Sequence, residues 1–273
     1  MKVFGRSREP PATGLALRQI LPGCDDGAPI PSNPCDKSTV PPPTPELVLV
    51  VPVYNEQDAI VPVLTEWRAE LSRTVGEGRF SILVVDDGST DATPERLAAL
   101  GWPELRVHRH ANRGHGQSCL VGYIEAAATG APYIFQIDSD GQCDPTGFAA
   151  VWARRANAPA IYGRRVTRDD GRARRLISAV LRLSLKAARG TRLNDTNVPF
   201  RLYRAPLAAA TARRIPPDFN LANIAMAVLL EPEGFEEVPI HFRDRIGGQA
   251  TVRLWGFAPK ALRLHRDLLR LRT

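Results

Sequence analysis

Apolar positions along the chain switch between two periodicities. Leu47 to Val53 is an unbroken apolar run rich in β-branched residues, the pattern of a strand buried on both faces. After Asp58, apolar residues fall at Ile60, Val63, Leu64, Trp67 and Leu71, one stripe of a 3.6-residue helix. Phe80 to Val85 is a second buried run and stops at Asp86-Asp87-Gly88-Ser89. A helix is then predicted from Asp91 to Leu100, with Thr90 or Asp91 as its N-cap. Leu105 to His108 reads as a weaker strand, and His115 to Ala128 as an Ala-rich helix ended by Gly130. Tyr133 to Ile137 is a fourth strand, stopping at Asp138-Ser139-Asp140. This alternation predicts an α/β fold: a mostly parallel central sheet with helices on both faces.

The flanking segments differ. Residues 1–45 carry Pro10, Pro11, Pro22, Pro29, Pro31, Pro34, Pro41, Pro42, Pro43 and Pro45, which forbid regular structure and predict a disordered tail. Residues 46–251 form the α/β domain. Its second half is predicted as a short strand at Ala160–Tyr162, an amphipathic helix over Arg172–Ala188, a loop then strand over Asp195–Tyr203, and a strand over Phe235–Phe242. Residues 252–273 are predicted as a basic amphipathic helix centred on Ala258–Leu271. There is no internal repeat.

Parallel sheets bind ligands at the carboxyl ends of their strands. Three strand ends here carry polar clusters: Tyr54-Asn55-Glu56, Asp86-Asp87, and Asp138-Ser139-Asp140. Two carboxylates one residue apart can aim at a single hard cation, Mg²⁺ or Mn²⁺, which keeps positions open for substrate phosphates. Gln142 can add a carbonyl oxygen. Asp86 and Asp87 can accept hydrogen bonds from a nucleobase or ribose, or cap the following helix; capping by Asp91 would free the pair.

Composition narrows the class further. The 273 residues carry a net charge of +7, which favours anionic partners: a diphosphate, a lipid surface or nucleic acid. No run of about 18 apolar residues predicts a membrane span, and the first residues lack a signal-peptide core. The four cysteines, Cys24, Cys35, Cys119 and Cys143, form no C-x-x-C pair, so a zinc site is not expected. Reduced thiols suit a cytoplasmic chain.

Together Val51-Pro52-Val53-Tyr54-Asn55-Glu56, Val84-Val85-Asp86-Asp87-Gly88-Ser89-Thr90-Asp91, Asn112-Arg113-Gly114 and Gln136-Ile137-Asp138-Ser139-Asp140-Gly141-Gln142 resemble family 2 glycosyltransferases of the GT-A nucleotide-sugar-binding fold. Asn194-Asp195, Phe200-Arg201-Leu202-Tyr203-Arg204 and Arg245-x-x-Gly248 are similar to the polyprenyl-phosphate, dolichyl-phosphate mannose synthase-like branch. The resemblance implies an inverting hexosyltransferase using a GDP- or UDP-sugar donor and Mg²⁺ or Mn²⁺. It implies that Pro52, Tyr54 and Glu56 line the nucleotide pocket, with Asp86 and Asp87 at base and ribose. Asp138, Asp140 and Gln142 would hold metal against the diphosphate, and Arg245 would grip the donor phosphates. Arg165, Arg174 and Ser178 would face an acceptor phosphate. Gln249-Ala250-Thr251 and Asn197-Val198-Pro199 depart from the branch pattern, which keeps a small-molecule hydroxyl or amine acceptor in view.

A phosphate acceptor is ionised at pH 7 and needs no base, whereas a hydroxyl or amine does. Asp195 is either that base or an Asx-turn residue. His115 either approaches a phosphate or starts a helix. The Arg172–Leu181 and Leu254–Arg270 segments either contact the inner membrane face peripherally or pack as ordinary helices with wet faces. A P-loop is absent. A basic nucleic-acid-binding module is the rival of another class, but no reading motif is present and the acidic clusters would repel phosphate without metal, so no nucleic-acid partner is expected.

Overall fold

The structure, a computed structural model, describes residues 44–166, 194–195, 197–217, 219 and 221–246. The tail, the helices expected over Arg172–Ala188 and Ala258–Leu271, and with them Arg174 and Ser178, lie outside the described residues.

The first half follows the hydrophobic pattern. Strand β1 spans Leu47–Val53, α1 Ile60–Thr74, β2 Phe80–Asp86, α2 Thr93–Leu100, β3 Leu105–Arg109, α3 His115–Ala128 and β4 Tyr133–Ile137. Three boundaries move. The last residue of β2 is Asp86 itself, α2 begins two residues after Asp91, and β3 runs on to Arg109. The N-cap is Ala92, not Thr90 or Asp91, and offers no side-chain cap; Asp91, one residue earlier, braces the start instead, its Oδ1 accepting the Thr93 N–H at 3.0 Å.

The second half is richer than the pattern predicts. A short helix α4 (Phe148–Ala153) precedes β5, which extends over Ala160–Arg165. Strand β6 covers Phe200–Arg204, followed at once by α5 (Ala205–Ala212), then α6 (Ala222–Leu230) and β7 (Phe235–Ile240). Beyond β7, Phe242 makes an isolated bridge to Cys143. Helix α6 has every residue buried. A helix apolar all round lacks the amphipathic stripe that marks a surface helix, which is why neither α5 nor α6 is visible in periodicity.

The strands form one sheet in the order β3-β2-β1-β4-β6-β5-β7. Strands β1, β2, β3 and β4 pair in parallel; β6 runs antiparallel to β4 and β5, and β7 is parallel to β5. Side chains of β4 alternate between two helical layers. Phe135 meets Trp67 of α1 at 5.4 Å between ring centroids, within a cluster that includes Phe148 and Phe200. Gln136 points the other way, to Tyr123 of α3. On that face Gly122 lies against Val50 and Val85 so closely that any Cβ would collide with the sheet.

This topology gathers one rim. The carboxyl ends of β1, β2, β4, β5 and β7 share it, and the single antiparallel strand, β6, begins there, since Phe200 pairs with Ile137. Segments far apart in sequence, around 55, 88, 139, 165, 195 and 245, therefore meet along the same edge.

Candidate active site

The loop after β1 is sewn to the loop after β2. Asn55 takes a positive φ of 53°; its N–H donates to Ser89 Oγ at 3.0 Å, and its side-chain oxygen accepts the Thr90 N–H at 2.8 Å. Asn is among the few residues that tolerate this left-handed conformation. The Glu56 N–H donates to Thr93 Oγ1 and the Gln57 N–H to Asp91 Oδ2. Pro52 is buried at the end of β1, while Tyr54 stands 46% exposed at the rim.

Asp86 and Asp87 are not left free by Asp91. The wholly buried Asp86 accepts the Ser89 N–H at 2.8 Å through Oδ1, and its Oδ2 lies 3.3 Å from Arg109 Nε without a hydrogen bond. Asp87 spends both oxygens on the loop before α3: Oδ1 accepts the Arg113 N–H at 2.7 Å and Oδ2 the Gly114 N–H at 2.9 Å. Asp87 thus holds Asn112-Arg113-Gly114 in place and sets where α3 begins.

At the end of β4 the two carboxylates of the D-x-D have different surroundings. Asp138 presents Oδ1 to Gln136 Nε2 at 3.1 Å and to His115 Nε2 at 3.4 Å. Burial raises its pKa, with Asp140 adding to the rise and His115, Arg201 and the Gln136 hydrogen bond opposing it. Asp140 accepts the Gln142 N–H through Oδ1 at 3.0 Å, and its Oδ2 pairs with Arg245 Nη2 at 2.8 Å. The Gln142 carbonyl accepts the Arg243 N–H, and the Asp140 carbonyl the Ile246 N–H. The 243–246 segment is thereby laced along the D-x-D loop. Gly141, at φ +79°, permits this contact: a Cβ there would come within 2.5 Å of Ile246.

Arg245 also reaches Glu56, with Nη1 3.8 Å from Oε1. Burial pushes the Glu56 carboxyl up to about 7; Arg245 opposes the rise, and Asp140, Asp91 and Asp138 reinforce it. Its other oxygen, Oε2, is buried with no hydrogen-bond partner. Glu56, Asp138, Asp140 and Arg245, spread over 190 positions of sequence, form one cluster of three carboxylates and a guanidinium. Among the described residues no three His, Cys, Asp or Glu side chains already converge as a complete metal cage. The donor chemistry nevertheless suits a hard cation: the candidate ligands are all oxygens, and too few to complete its coordination without substrate.

Arg165 and Asp195 prove to be one unit. Nε donates to Oδ2 at 2.7 Å and Nη2 to Oδ1 at 3.0 Å, a bidentate pair, and the guanidinium stacks on the Phe242 ring at 5.2 Å. A carboxylate held at both oxygens by a guanidinium is a poor proton acceptor, which weakens the reading of Asp195 as a base. His115 starts α3, as one sequence alternative has it, and also reaches Asp138.

Gln136 is the neighbour sequence reasoning gave no role. Its signal was present: a polar residue inside Tyr133-Ile-Phe-Gln-Ile137, a strand otherwise apolar and buried. Among the described residues no helix is long and apolar enough to cross a membrane. Cys119 and Cys143 are free thiols, both buried.

Comparison with known proteins gives the family and the fold. The family model described as "Glycosyl transferase family 2" matches residues 48–208. An undecaprenyl-phosphate 4-deoxy-4-formamido-L-arabinose transferase of Pectobacterium carotovorum subsp. carotovorum (strain PC1) is 28% identical over 167 residues, 59% of this chain and 50% of that one. A protein of the same name from Pseudomonas paraeruginosa (strain DSM 24068 / PA7) is 29% identical over 59% of this chain and 48% of its own length. The chain thus spans about half the length of the curated relatives it matches. In fold it is similar to glucosyl-3-phosphoglycerate synthase from Mycobacterium tuberculosis, crystallised with Mn²⁺, UDP-glucose and phosphoglyceric acid (TM-score 0.60, 17% identity, 84% of this chain, 81% of that one). Mannosyl-3-phosphoglycerate synthase from Rubrobacter xylanophilus is another such neighbour, with TM-score 0.57, 17% identity, and 83% and 76% of the two chains covered.

Proposed function

Since the chain belongs to glycosyl transferase family 2, we propose that it is a metal-dependent, inverting transferase that moves a sugar from a nucleoside diphosphate to a polyprenyl phosphate at the membrane surface. The observation that carries this reading is the cluster at the carboxyl ends of β1 and β4: Asp138 and Asp140 beside Glu56, with Arg245 at 2.8 Å from Asp140. Asp138 and Asp140 would hold Mg²⁺ or Mn²⁺, with Gln142 offering its carboxamide. The bound cation would neutralise charge on the departing diphosphate.

The protein's own groups would do the rest. Arg245 would exchange its carboxylate partner for donor phosphate, a preorganised charge aimed at the leaving group. Asp86, buried at the end of β2, would accept from the nucleobase, Asp87 would fix the adjoining loop, and Tyr54 and Pro52 would border the pocket. The acceptor would approach from the side of Arg165; Arg174 and Ser178, the other residues expected to face it, lie outside the described residues. A phosphate acceptor is supported by two facts: the relatives named above are undecaprenyl-phosphate transferases, and Asp195 is engaged by Arg165 instead of standing ready as a base.

The test is release of nucleoside diphosphate from UDP-, GDP- and dTDP-sugars with Mn²⁺, Mg²⁺ or EDTA, with and without polyprenyl phosphate in detergent. Metal-dependent turnover stimulated by the lipid phosphate supports the reading. Turnover stimulated only by a water-soluble hydroxyl or amine acceptor overturns the acceptor assignment. No donor binding under any condition overturns the activity.

A further inference from the structure

Behind Asp138 lies a buried polar chain. Gln136 is wholly buried on β4, two residues before Asp138. Its Nε2 donates to Asp138 Oδ1 at 3.1 Å, and its Oε1 accepts the Tyr123 hydroxyl of α3 at 3.3 Å. That hydroxyl also lies 3.2 Å from Asn223 Oδ1, on α6. The backbone carbonyl of Asn223 accepts Arg201 Nη1 at 2.6 Å, and the same guanidinium nitrogen donates to the Tyr203 hydroxyl at 3.2 Å. Tyr123, Arg201 and Tyr203 are each at most 1% exposed and Asn223 is 6% exposed.

Burying these groups costs free energy unless each is satisfied, and an apolar strand residue at 136 would spare that cost. The chain does a specific job in return. A carboxylate at a strand end can turn about χ2, presenting either oxygen to the rim. Gln136 fixes one oxygen from the sheet side, and Tyr123 fixes Gln136, because a carboxamide bonded at both its nitrogen and its oxygen cannot rotate. Arg201 adds a favourable charge behind the carboxylate.

We propose that Gln136, locked by Tyr123, is a positioning residue for Asp138: it pins Oδ1 and so presents Oδ2 to the cation and diphosphate. The inference rests on the metal-dependent reading above, and it concerns residues outside the motif itself. Outer-sphere partners of this kind typically alter metal affinity about 10- to 100-fold.

The test uses the full chain with Mn²⁺ and UDP or GDP, whichever nucleotide the wild type binds, reading free Mn²⁺ by electron paramagnetic resonance, with thermal unfolding alongside. Gln136→Met keeps size and removes both hydrogen bonds; the expected result is a Mn²⁺ Kd raised about 10- to 100-fold with Tm preserved. Tyr123→Phe keeps the ring and removes one hydroxyl; the expected rise is about two- to tenfold, and it serves if the first variant fails to fold. Wild-type Mn²⁺ affinity in the folded variants would overturn the positioning role alone. A wild-type chain that binds no Mn²⁺ with any nucleotide would overturn the metal-dependent reading and this inference together.

Discussion

Replacing Asp87 by Asn changes one atom and should unseat the loop that starts α3. Both carboxylate oxygens are engaged, at 2.7 Å by the Arg113 N–H and 2.9 Å by the Gly114 N–H, and the residue is 3% exposed. Each bond to a charged acceptor is worth roughly 1.5–3 kcal/mol. Asn keeps one acceptor oxygen, turns an NH₂ toward the other N–H, and loses the charge at both. The net cost is about 2–4 kcal/mol, a large share of the margin a domain of this size has. For roughly 150–250 ordered residues, each kcal/mol lowers Tm by about 2–4 °C, so the expected fall is about 4–16 °C. Urea unfolding at unchanged m-value separates this loss from a change in compactness. If Asp87 chiefly reads the donor, Asn should leave Tm within about 2 °C while raising the donor KM; that result would refute the clamp.

Three further outcomes follow from the site and core. Arg245→Ala, which removes the guanidinium 2.8 Å from Asp140, should lower kcat about 10²–10³-fold with Tm unchanged, measured by nucleoside diphosphate release; a loss of stability instead would mark Arg245 as structural. Gly141→Ala meets a backbone at φ +79° and the Ile246 side chain; a cost of at least about 1–2 kcal/mol is expected with a raised donor KM, and wild-type values in both would refute the lacing of the two loops. Arg165→Ala removes the bidentate guanidinium contact from the buried Asp195 carboxylate and should lower stability by about 1.5–3 kcal/mol, read as a fall in the urea midpoint; an unchanged midpoint would show that the pair does not hold the β5 end to the 195 segment.

The first half of the fold was legible because β1, β2 and β4 are largely apolar runs, with only β3, LRVHR, weakly marked, and because α1 carries a clear stripe. Leu47–Val53, the helix that buries Ile60 and Trp67, and Tyr133–Ile137 all lie where the pattern puts them. Helices α5 and α6 were not legible. ANIAMAVLL is buried at every position, where periodicity carries no information, and APLAAATA, although exposed at Pro206 and Ala210, is built almost wholly of small apolar residues that mark no polar face. The acidic strand ends stood out as polar breaks after apolar runs, but their uses did not. Asp86 and Asp87 are adjacent and chemically identical, yet one closes a turn to Ser89 and the other clamps a loop 26 residues away.

Sequence alone determined where the acidic strand ends fall, the α/β class and the family, because these depend on local period and on short motifs read in order. Tertiary structure decided who meets whom. Strand β6 runs against its neighbours, so its start lies on the same rim as the ends of β4 and β5, and this brings Asp195 to Arg165. The parallel pairing of β7 with β5 carries the chain back to that rim, where Arg245 meets Asp140 and Glu56. It likewise closes the chain from Gln136 to Tyr123, Asn223 and Arg201, drawn from two helices and two strands. Contacts of this kind depend on register and direction across the sheet, which no local pattern of side chains encodes.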